Sequence, residues 1–188
     1  MPFALTSPDI LLGLLALQNA AYTDSPAWPL DILVAESQGM IGSAIAQELT
    51  QYAGSVPVST LMTRVEVDAN DPAFSLPGKY IGPVYQPEQQ AALEARYGWT
   101  MKADGKYIRR VVPSPLPLKI VDDQAIAALM AAGHVVICCG GGGIPVIAAG
   151  PGYQGTEAVL HKDPTAAAPA PAIPAGHLLD LTHAHSGY

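Results

Sequence analysis

The chain is short of cysteine, of positive charge and of long apolar runs, and each shortage excludes a class of protein. Two cysteines in 188 residues are too few for a disulfide-stapled secreted domain. Nine lysines and arginines stand against 16 aspartates and glutamates, a net charge of −7 without a basic cluster, which argues against a nucleic-acid or anionic-membrane surface. The apolar stretch from Ile10 to Leu17 is too short to cross a bilayer, and no basic residue precedes it as in a secretory signal. We therefore expect a cytoplasmic protein that binds neither nucleic acid nor membrane.

Apolar residues make up 49% of the chain, enough to bury one sizeable core in a single domain of this length. Helices are predicted over 7–17, 32–49 and 123–132, the last capped by Asp122 or Asp123, and strands over 56–67, 107–112 and 135–138. From Asp68 to about Tyr97 the composition changes to proline, glycine and polar residues, which indicates an inserted lobe. The order of these elements predicts an α/β fold with a largely parallel sheet.

Four consecutive glycines, Gly140 to Gly143, follow the strand predicted over 135–138. Ligands of parallel α/β sheets bind at the carboxyl ends of strands, and glycine lets bare backbone amides approach an anion. A tight turn without a ligand has the same sequence, so the run alone leaves both interpretations open. Cys138 and Cys139 end the strand, where alternation points neighbouring side chains to opposite faces, and we expect two buried thiols and neither a disulfide nor a metal pair.

Five ordered blocks resemble the signatures of the carbamate kinase family, with compatible spacing over nearly the whole chain from about Gly13. The blocks are 30–42 (LDILVAESQGMIG), 63–74 (TRVEVD and DPAF), 79–83 (KYIGP), 109–115 (RRVVPSP) and the glycine run through Pro145.

This resemblance implies the amino-acid kinase fold, an αβα sandwich around a mostly parallel sheet, with a protruding lobe inserted here at about 68–110. It also implies reversible phosphoryl transfer between ATP and carbamate, usually making ATP from carbamoyl phosphate and ADP in arginine catabolism. The implied nucleotide is used with Mg²⁺, and family members are cytoplasmic homodimers. Such a reaction depends on positioning of the two reactants and on positive charge around the transferred phosphoryl group.

Lys79 and the pair Lys162-Asp163 stand where the family's functional lysines stand. The resemblance implies that Lys79 reaches from the lobe over the substrate, and that Lys162 neutralises phosphoryl oxygens while Asp163 orients it. Without the resemblance, Lys79 is a solvated loop lysine and Lys162-Asp163 an exposed ion pair of little energetic weight. The candidate catalytic residues are Lys79, Lys162 and Asp163, the candidate phosphate-binding residues are Gly140, Gly141, Gly142 and Gly143, and no metal ligands are predicted.

Other polar residues have two interpretations. Arg109 and Arg110 would suit phosphate, since a planar guanidinium can donate two hydrogen bonds to it at once. We favour an arrangement in which one arginine points outward and the other packs across the lobe. Glu36 and Gln38 would suit a metal or a catalytic base in isolation, but the resemblance places them on a helix of the subunit interface, and we favour a structural role. His183 and His185 share a strand face as metal ligands do, but an irregular tail is favoured.

The sequence departs from the family pattern at both ends. Upstream of Leu14 the family has two strands whose glycine turns cradle the transferred phosphoryl group, and neither turn has a counterpart here. Downstream, Pro169, Pro171 and Pro174 interrupt a helix. The sequence stops before the part that supplies most of the adenine pocket and a third active-site lysine. We therefore expect a single partial domain over 1–188, truncated at both ends, with 164–188 a degenerate tail.

Three functions are open on this basis: an active carbamate kinase, a non-catalytic pseudokinase kept as an interaction module, or a gene fragment with no function of its own. We expect activity to be impaired or absent. Because missing flanking strands would expose sheet edges and an apolar face, we also expect a homodimer or association with a full-length relative.

Overall fold

The computed structural model of the protein describes residues 28–168 and 171–173. The helix predicted over 7–17, the histidines His183 and His185 and most of the predicted tail lie outside these residues. None of the helices in the described ranges has the combination of length and apolar character that crossing a bilayer requires.

The described chain contains four helices and nine strands. The helices are α1 Leu30–Tyr52, α2 Gln90–Tyr97, α3 Asp123–Ala131 and α4 Lys162–Ala166. The strands are β1 Val58–Thr60, β2 Arg64–Val67, β3 Lys79–Tyr85, β4 Thr100–Asp104, β5 Tyr107–Val112, β6 Pro117–Ile120, β7 Val135–Ile137, β8 Ile144–Ala149 and β9 Gly152–Gly155. Short 3₁₀ turns span Pro72–Phe74, Pro87–Gln89 and Gly140–Gly142.

The strands of the described chain form three sheets. Strands β1 and β7 pair in parallel, as do β2 and β8 at the centre of a second sheet with the order β6-β2-β8-β9, whose outer pairs are antiparallel. The third sheet, β3-β5-β4, is antiparallel. The predicted α/β class is confirmed, and the parallel pairs are those that lead into and out of the glycine run. The third sheet falls in the region of the predicted lobe, whose domain boundaries stay a prediction.

Helix α1 organises the core because its apolar residues recur at helical spacing. Leu30, Leu33 and Val34 are buried on one face, and they pack with Ile81, Val112 and Val159. Ile81 and Val112 belong to the β3-β5 pair, so this cluster fixes the base of the antiparallel sheet against α1. The outer part of that sheet has its own cluster of Trp99, Met101 and Ile108.

The single strand predicted over 56–67 is wrong, because the chain leaves one sheet and enters another within it. Strand β1 ends at Thr60 and β2 begins at Arg64. Between them, the Thr63 N–H donates to Gln38 Oε1 at 2.9 Å, and the Thr63 carbonyl accepts from the Ile144 N–H at 2.8 Å. A side chain of α1 thus takes a hydrogen bond that a continuous strand would give to a neighbouring strand.

The predicted capping of α3 is also wrong. Asp122 occupies the cap position but makes no capping hydrogen bond. Its carboxylate instead accepts from Arg64, at 2.6 Å from Nη2 and 2.8 Å from the backbone N–H. Burial alone would raise the pKa of Asp122, but the hydrogen bonds from Arg64 outweigh it and lower the pKa. A charged donor has therefore displaced the helix amides as the partner of this carboxylate.

Gln38 gives a stability prediction, because its buried side-chain amide joins three segments. Gln38→Ala would leave the Thr63 N–H and the Gly140 carbonyl, which now lies 3.0 Å from Nε2, without their partner. We expect the free energy of unfolding to fall by about 2–4 kcal/mol, since each unsatisfied buried group costs about 1–3 kcal/mol.

The measurement is urea denaturation followed by circular dichroism. Gln47→Ala is the matched control, because Gln47 is exposed on the same helix and its amide donates to Ser43 Oγ of the same helix. The control should change stability by less than about 0.5 kcal/mol. Equal losses in the two variants would contradict a structural role for Gln38.

Candidate functional site

The glycine run forms a tight turn between β7 and β8 that leaves no room for side chains at its end. Gly141, Gly142 and Gly143 have positive φ values of 65°, 93° and 92°. A Cβ on Gly142 would lie 2.7 Å from the Leu160 carbonyl oxygen, and one on Gly143 would collide with the Val65 side chain. Glycine is therefore required here for both conformation and space.

Two amide groups of the turn already donate hydrogen bonds to its own residues. The Gly142 N–H donates to the Cys139 carbonyl at 3.0 Å, and the Gly143 N–H donates to the Gly140 carbonyl at 3.2 Å. This leaves at most the first two amides, those of Gly140 and Gly141, for a ligand. The phosphate-binding role of the four glycines stays a prediction, and it now concerns chiefly Gly140 and Gly141.

Lys79 is buried, contrary to the picture of a solvated loop lysine. It is the first residue of β3 and only 8% exposed. Its Nζ lies 3.3 Å from His161 Nδ1. A lysine ammonium has no acceptor, so Nζ donates and the imidazole Nδ1 accepts, with the ring proton on Nε2. The contact brings the antiparallel sheet to the segment that carries the second candidate lysine.

Lys162 and Asp163 begin helix α4. The Lys162 Nζ lies 3.7 Å from Asp163 Oδ1, and these side chains are 37% and 77% exposed. At that distance and exposure the attraction between the two charges is weak. The orienting role of Asp163 stays a prediction.

Thr165 joins α4 to the glycine turn and was missed by the sequence analysis. Its hydroxyl is fully buried, 2.7 Å from the Gly142 carbonyl oxygen and 3.0 Å from that of His161. Contacts therefore run from Lys79 through His161 and Thr165 to Gly142. The i, i+4 spacing of His161 and Thr165 is compatible with one helical turn, but nothing in the sequence indicates that Thr165 faces the glycines.

Arg110 is packed across the antiparallel sheet, as favoured from the sequence. Its guanidinium carbon lies 4.8 Å from the centre of the Trp99 ring. Burial lowers the pKa of Arg110 to about 10, and the nearby charge of Glu157 opposes that shift, so the group stays protonated at neutral pH. Glu157 Oε1 in turn accepts from the Leu30 N–H at 3.0 Å, at the start of α1.

Three other polar candidates from the sequence lie on α1 and on the antiparallel sheet. Arg109 pairs with Asp104 on β4, with 3.4 Å between Nε and Oδ2. Glu36 is exposed on α1, and Gln38 is the buried amide described above. The favoured structural role of Gln38 therefore agrees with its contacts.

The two cysteines do not lie at the end of a strand with their thiols on opposite faces, as the sequence predicted. Strand β7 ends at Ile137, and Cys139 has φ of 54°, so the alternation that would separate the thiols stops before them. Both are half-buried free thiols.

The described residues gather positive charge beside a backbone turn. Lys79 and Lys162 flank His161, and α4 is held to the glycines by Thr165. Within the described ranges no group of three or more histidine, cysteine, aspartate or glutamate side chains is placed to hold a metal ion. The arrangement suits an anion more than a cation.

Sequence comparison finds carbamate kinases among the proteins similar to this chain. No family model matches the chain. It is 57% identical over 177 residues to the carbamate kinase of Escherichia coli K12, an alignment that covers 94% of this chain and 59% of that protein. It is 45% identical over 184 residues to the carbamate kinase of Rhizobium meliloti, covering 93% and 55%. The chain thus spans a little under three fifths of the length of these relatives.

Solved structures agree with the sequence relatives. The carbamate kinase of Giardia lamblia bound to citric acid superposes with a TM-score of 0.75 at 36% identity, covering 85% of this chain and 53% of that one. The same enzyme bound to AMP-PNP gives a TM-score of 0.70 at 35% identity, covering 85% and 52%. The described fold is therefore that of about half of these proteins.

Gly142 and Gly141 provide a test of the turn. Gly142→Ala would force the Leu160 carbonyl to move as well as straining φ, and we expect it to lower the free energy of unfolding by at least about 3 kcal/mol. Gly141→Ala has the same kind of φ, but the nearest atom to its Cβ would be Ser37 Oγ at an ordinary 3.9 Å, and it should cost only about 1–2 kcal/mol. Denaturant unfolding of the two variants measures the difference, and equal costs would show that packing against Leu160 contributes nothing.

Proposed function

We propose that the chain is a carbamate kinase relative in which Lys79, Lys162 and the glycine turn form the phosphoryl-binding side of a site for reversible phosphoryl transfer between ATP and carbamate. Its similarity to carbamate kinases over most of its own length supports the proposal. The observation that carries the proposal is the line of contacts from Lys79 through His161 and Thr165 to Gly142. It brings Lys79 of the antiparallel sheet and helix α4, which begins at Lys162, to one glycine turn.

The proposed direction makes ATP. A β-phosphate oxygen of ADP attacks the phosphorus of carbamoyl phosphate, the bond from phosphorus to the carbamate oxygen breaks, and carbamate leaves with that electron pair. The transferred group carries negative charge on its three equatorial oxygens throughout. Two ammonium groups held around it lower the barrier without forming a covalent bond.

The residues differ in their proposed tasks. Lys79 is buried and held by His161, so it is already positioned to oppose charge. Lys162 is more exposed and begins α4, where it meets the anion from the solvent side. Gly140 and Gly141 supply the backbone amides that the turn itself does not use. Asp163 stays a candidate for orienting Lys162.

Nucleotide binding is part of the same proposal, whereas Mg²⁺ is implied only by the resemblance to the family. A relative's structure contains AMP-PNP, which supports nucleotide use by the family. The described residues do not by themselves fit a metal site, because no group of three or more potential ligands lies together in them. We therefore assign no step to Mg²⁺ on this part of the chain.

The test is formation of ATP from ADP and carbamoyl phosphate by the full chain, measured with luciferase against a protein-free blank. Lys79→Ala and Lys162→Ala should each lower kcat about 10²–10³-fold, the usual cost of removing one group that stabilises developing charge. Lys106→Ala is the matched control, because Lys106 lies beside the Tyr107 ring on the exposed turn between β4 and β5. It should leave the rate unchanged.

A second measurement separates binding from turnover. Inorganic phosphate should raise the melting temperature of the wild type and of Lys106→Ala, and should do so less for the two other lysine variants. Turnover that is unaffected by Lys79→Ala and Lys162→Ala would refute the assigned roles. A phosphate shift without any turnover would support an anion site in a non-catalytic relative and refute the kinase activity of this chain.

We further propose that the protein is a homodimer that pairs through α1. Ile32 and Met40 are large apolar side chains that are 38% and 53% exposed on this helix. Met40→Glu should convert a dimer into a monomer, because a charge would be buried in the interface, whereas Leu116→Glu, at an exposed apolar residue away from α1, should not. Light scattering after size exclusion measures the mass, and a monomeric wild type would contradict the proposal.

A further inference from the structure

His161 contacts the buried candidate lysine but is itself open to solvent. Its Nδ1 lies 3.3 Å from Lys79 Nζ. Lys79 is 8% exposed, whereas His161 is an exposed residue. An exposed imidazole exchanges its protons freely with water, and histidine is the side chain whose ordinary pKa places its change of charge near neutral pH. The position of a buried lysine is therefore connected to a group that titrates in the physiological range.

The backbones on both sides of this contact are fixed without it. Lys79 begins β3 and is in register with Val112 of β5. On the other side, Leu160 is fully buried, and the His161 carbonyl accepts from the Thr165 hydroxyl at 3.0 Å. The backbone leaves open only where the flexible four-carbon side chain of the lysine ends. The contact with the imidazole selects one of these positions.

The hydrogen bond requires a neutral imidazole. An ammonium group is only a donor, so Nδ1 must supply a lone pair, which leaves the ring proton on Nε2. A protonated imidazole carries a proton on each nitrogen and has no lone pair left on Nδ1. Two positive groups 3.3 Å apart also repel each other. Protonation of His161 therefore turns the contact from an attraction into a repulsion.

The elements packed against the pair carry further charges. Helix α4 packs on the glycine turn and on β6, and β3 packs on β5. Each positive group on these elements is accompanied by a carboxylate, so their effects on His161 partly cancel, and the ammonium at 3.3 Å acts on it most directly. These groups are Lys162 with Asp163 on α4, Lys119 on β6 with Glu66, and Arg109 and Arg110 on β5 with Asp104 and Glu157.

We propose that His161 is the positioning residue of Lys79 and that it acts only as the neutral imidazole, so that one proton on His161 releases the lysine from its buried position. The consequence for catalysis rests on the proposed function, in which Lys79 opposes the charge of the transferred group. Release removes that positive charge from the site. Phosphoryl transfer then has an acidic limit that is set by a residue that does not touch the substrate.

The first experiment needs no ligand, so its failure is distinguishable from failure of the proposed function. The ring nitrogens of histidine are isotopically labelled in the full chain, and the His161 signals are identified by nuclear magnetic resonance from their loss in His161→Asn. At mildly alkaline pH we expect the proton on Nε2 and an unprotonated, hydrogen-bonded Nδ1. Lys79→Met keeps the apolar part of the side chain without its charge, so His161 should take up its proton at a higher pH. A proton on Nδ1 in the neutral wild-type ring, or an unchanged titration in Lys79→Met, would refute the proposal.

Chemical labelling measures whether Lys79 leaves its buried position. The full chain is acetylated briefly at one fixed pH, and each lysine is quantified by mass spectrometry against Lys106, which is exposed. His161→Leu keeps the bulk over Lys79 but offers no acceptor, and should raise acetylation of Lys79 about three- to tenfold, as loss of one hydrogen bond predicts. His161→Asn keeps an acceptor oxygen near the place of Nδ1 and should be acetylated like the wild type. Equal acetylation of Lys79 in the Leu and Asn variants would contradict a positioning role.

His134→Asn is the matched control for removing a titrating ring. The His134 imidazole also makes a contact through Nδ1, 2.8 Å from Ser59 Oγ, but on the segment before β7. This variant should leave the acetylation of Lys79 unchanged.

The pH profile of ATP formation tests the catalytic consequence. Between neutral and mildly acid pH, kcat should fall more steeply in the wild type and in His134→Asn than in His161→Asn, whose acceptor does not titrate. The KM for ADP should follow the same course in all three, because His161 acts through Lys79 on the transferred group. Profiles of the same shape in the wild type and His161→Asn would overturn the acidic limit.

Sulfate distinguishes positioning from the opposite role, in which a protonated His161 itself binds the anion. Sulfate stays doubly charged throughout this range, and the rise in melting temperature reports its binding. We expect this rise to shrink on acidification of the wild type and to stay constant in His161→Asn. A rise that grows on acidification of the wild type alone would identify His161 as an anion ligand and refute the proposal.

Discussion

The structure of the candidate site depends on the close approach of the glycine turn to its neighbours on either side. On one side Gln38 of α1 donates to the Gly140 carbonyl. On the other, the Leu160 carbonyl oxygen lies 2.7 Å from where a Cβ of Gly142 would be. That approach excludes a side chain at Gly142, and a Cβ on Gly140 would lie a tight 3.3 Å from Gln38 Cγ. The absence of side chains thus lets α1 and the segment before α4 meet at the carboxyl end of a parallel strand.

This packing explains how residues far apart in the chain reach one place. The base of the antiparallel sheet is fixed to α1 by Ile81 and Val112, which places the start of β3 near the turn. Thr165 holds α4 to the turn from the other side. Lys79 and His161 meet between these two anchors. The position of the positive charge therefore depends on apolar packing and on one buried hydroxyl, and less on attraction between charged groups.

The glycine turn follows directly on a strained residue. Its glycines suit an anion, while Cys139 before them is held in a left-handed conformation. A conformation that costs free energy persists only where surrounding contacts over-determine it, here Thr63 on the N–H and Gly142 on the carbonyl.

Helical periodicity predicted α1 and α3 well, and β-branched alternation predicted β5. The strand expected over 56–67 was wrong because Gln38 intercepts the backbone at Thr63. The cap expected from Asp122 was wrong because Arg64 is the stronger partner. Each error concerns a contact between residues more than 20 positions apart, which no local pattern contains. The motifs identified the glycine run and the lysines as candidates but could not indicate the burial of Lys79 or the position of Thr165.

The sequence by itself determined the α/β class, the resemblance to carbamate kinases and the residue types available for anion binding, because periodicity, glycine runs and ordered motifs are local properties. Only the tertiary structure decided which of these residues meet. The contacts of Lys79 with His161, of Thr165 with Gly142 and of Gln38 with Thr63 each join segments distant in sequence. The backbone conformation of Cys139 was also decided there, since the fold holds this residue at a positive φ that its own side chain disfavours.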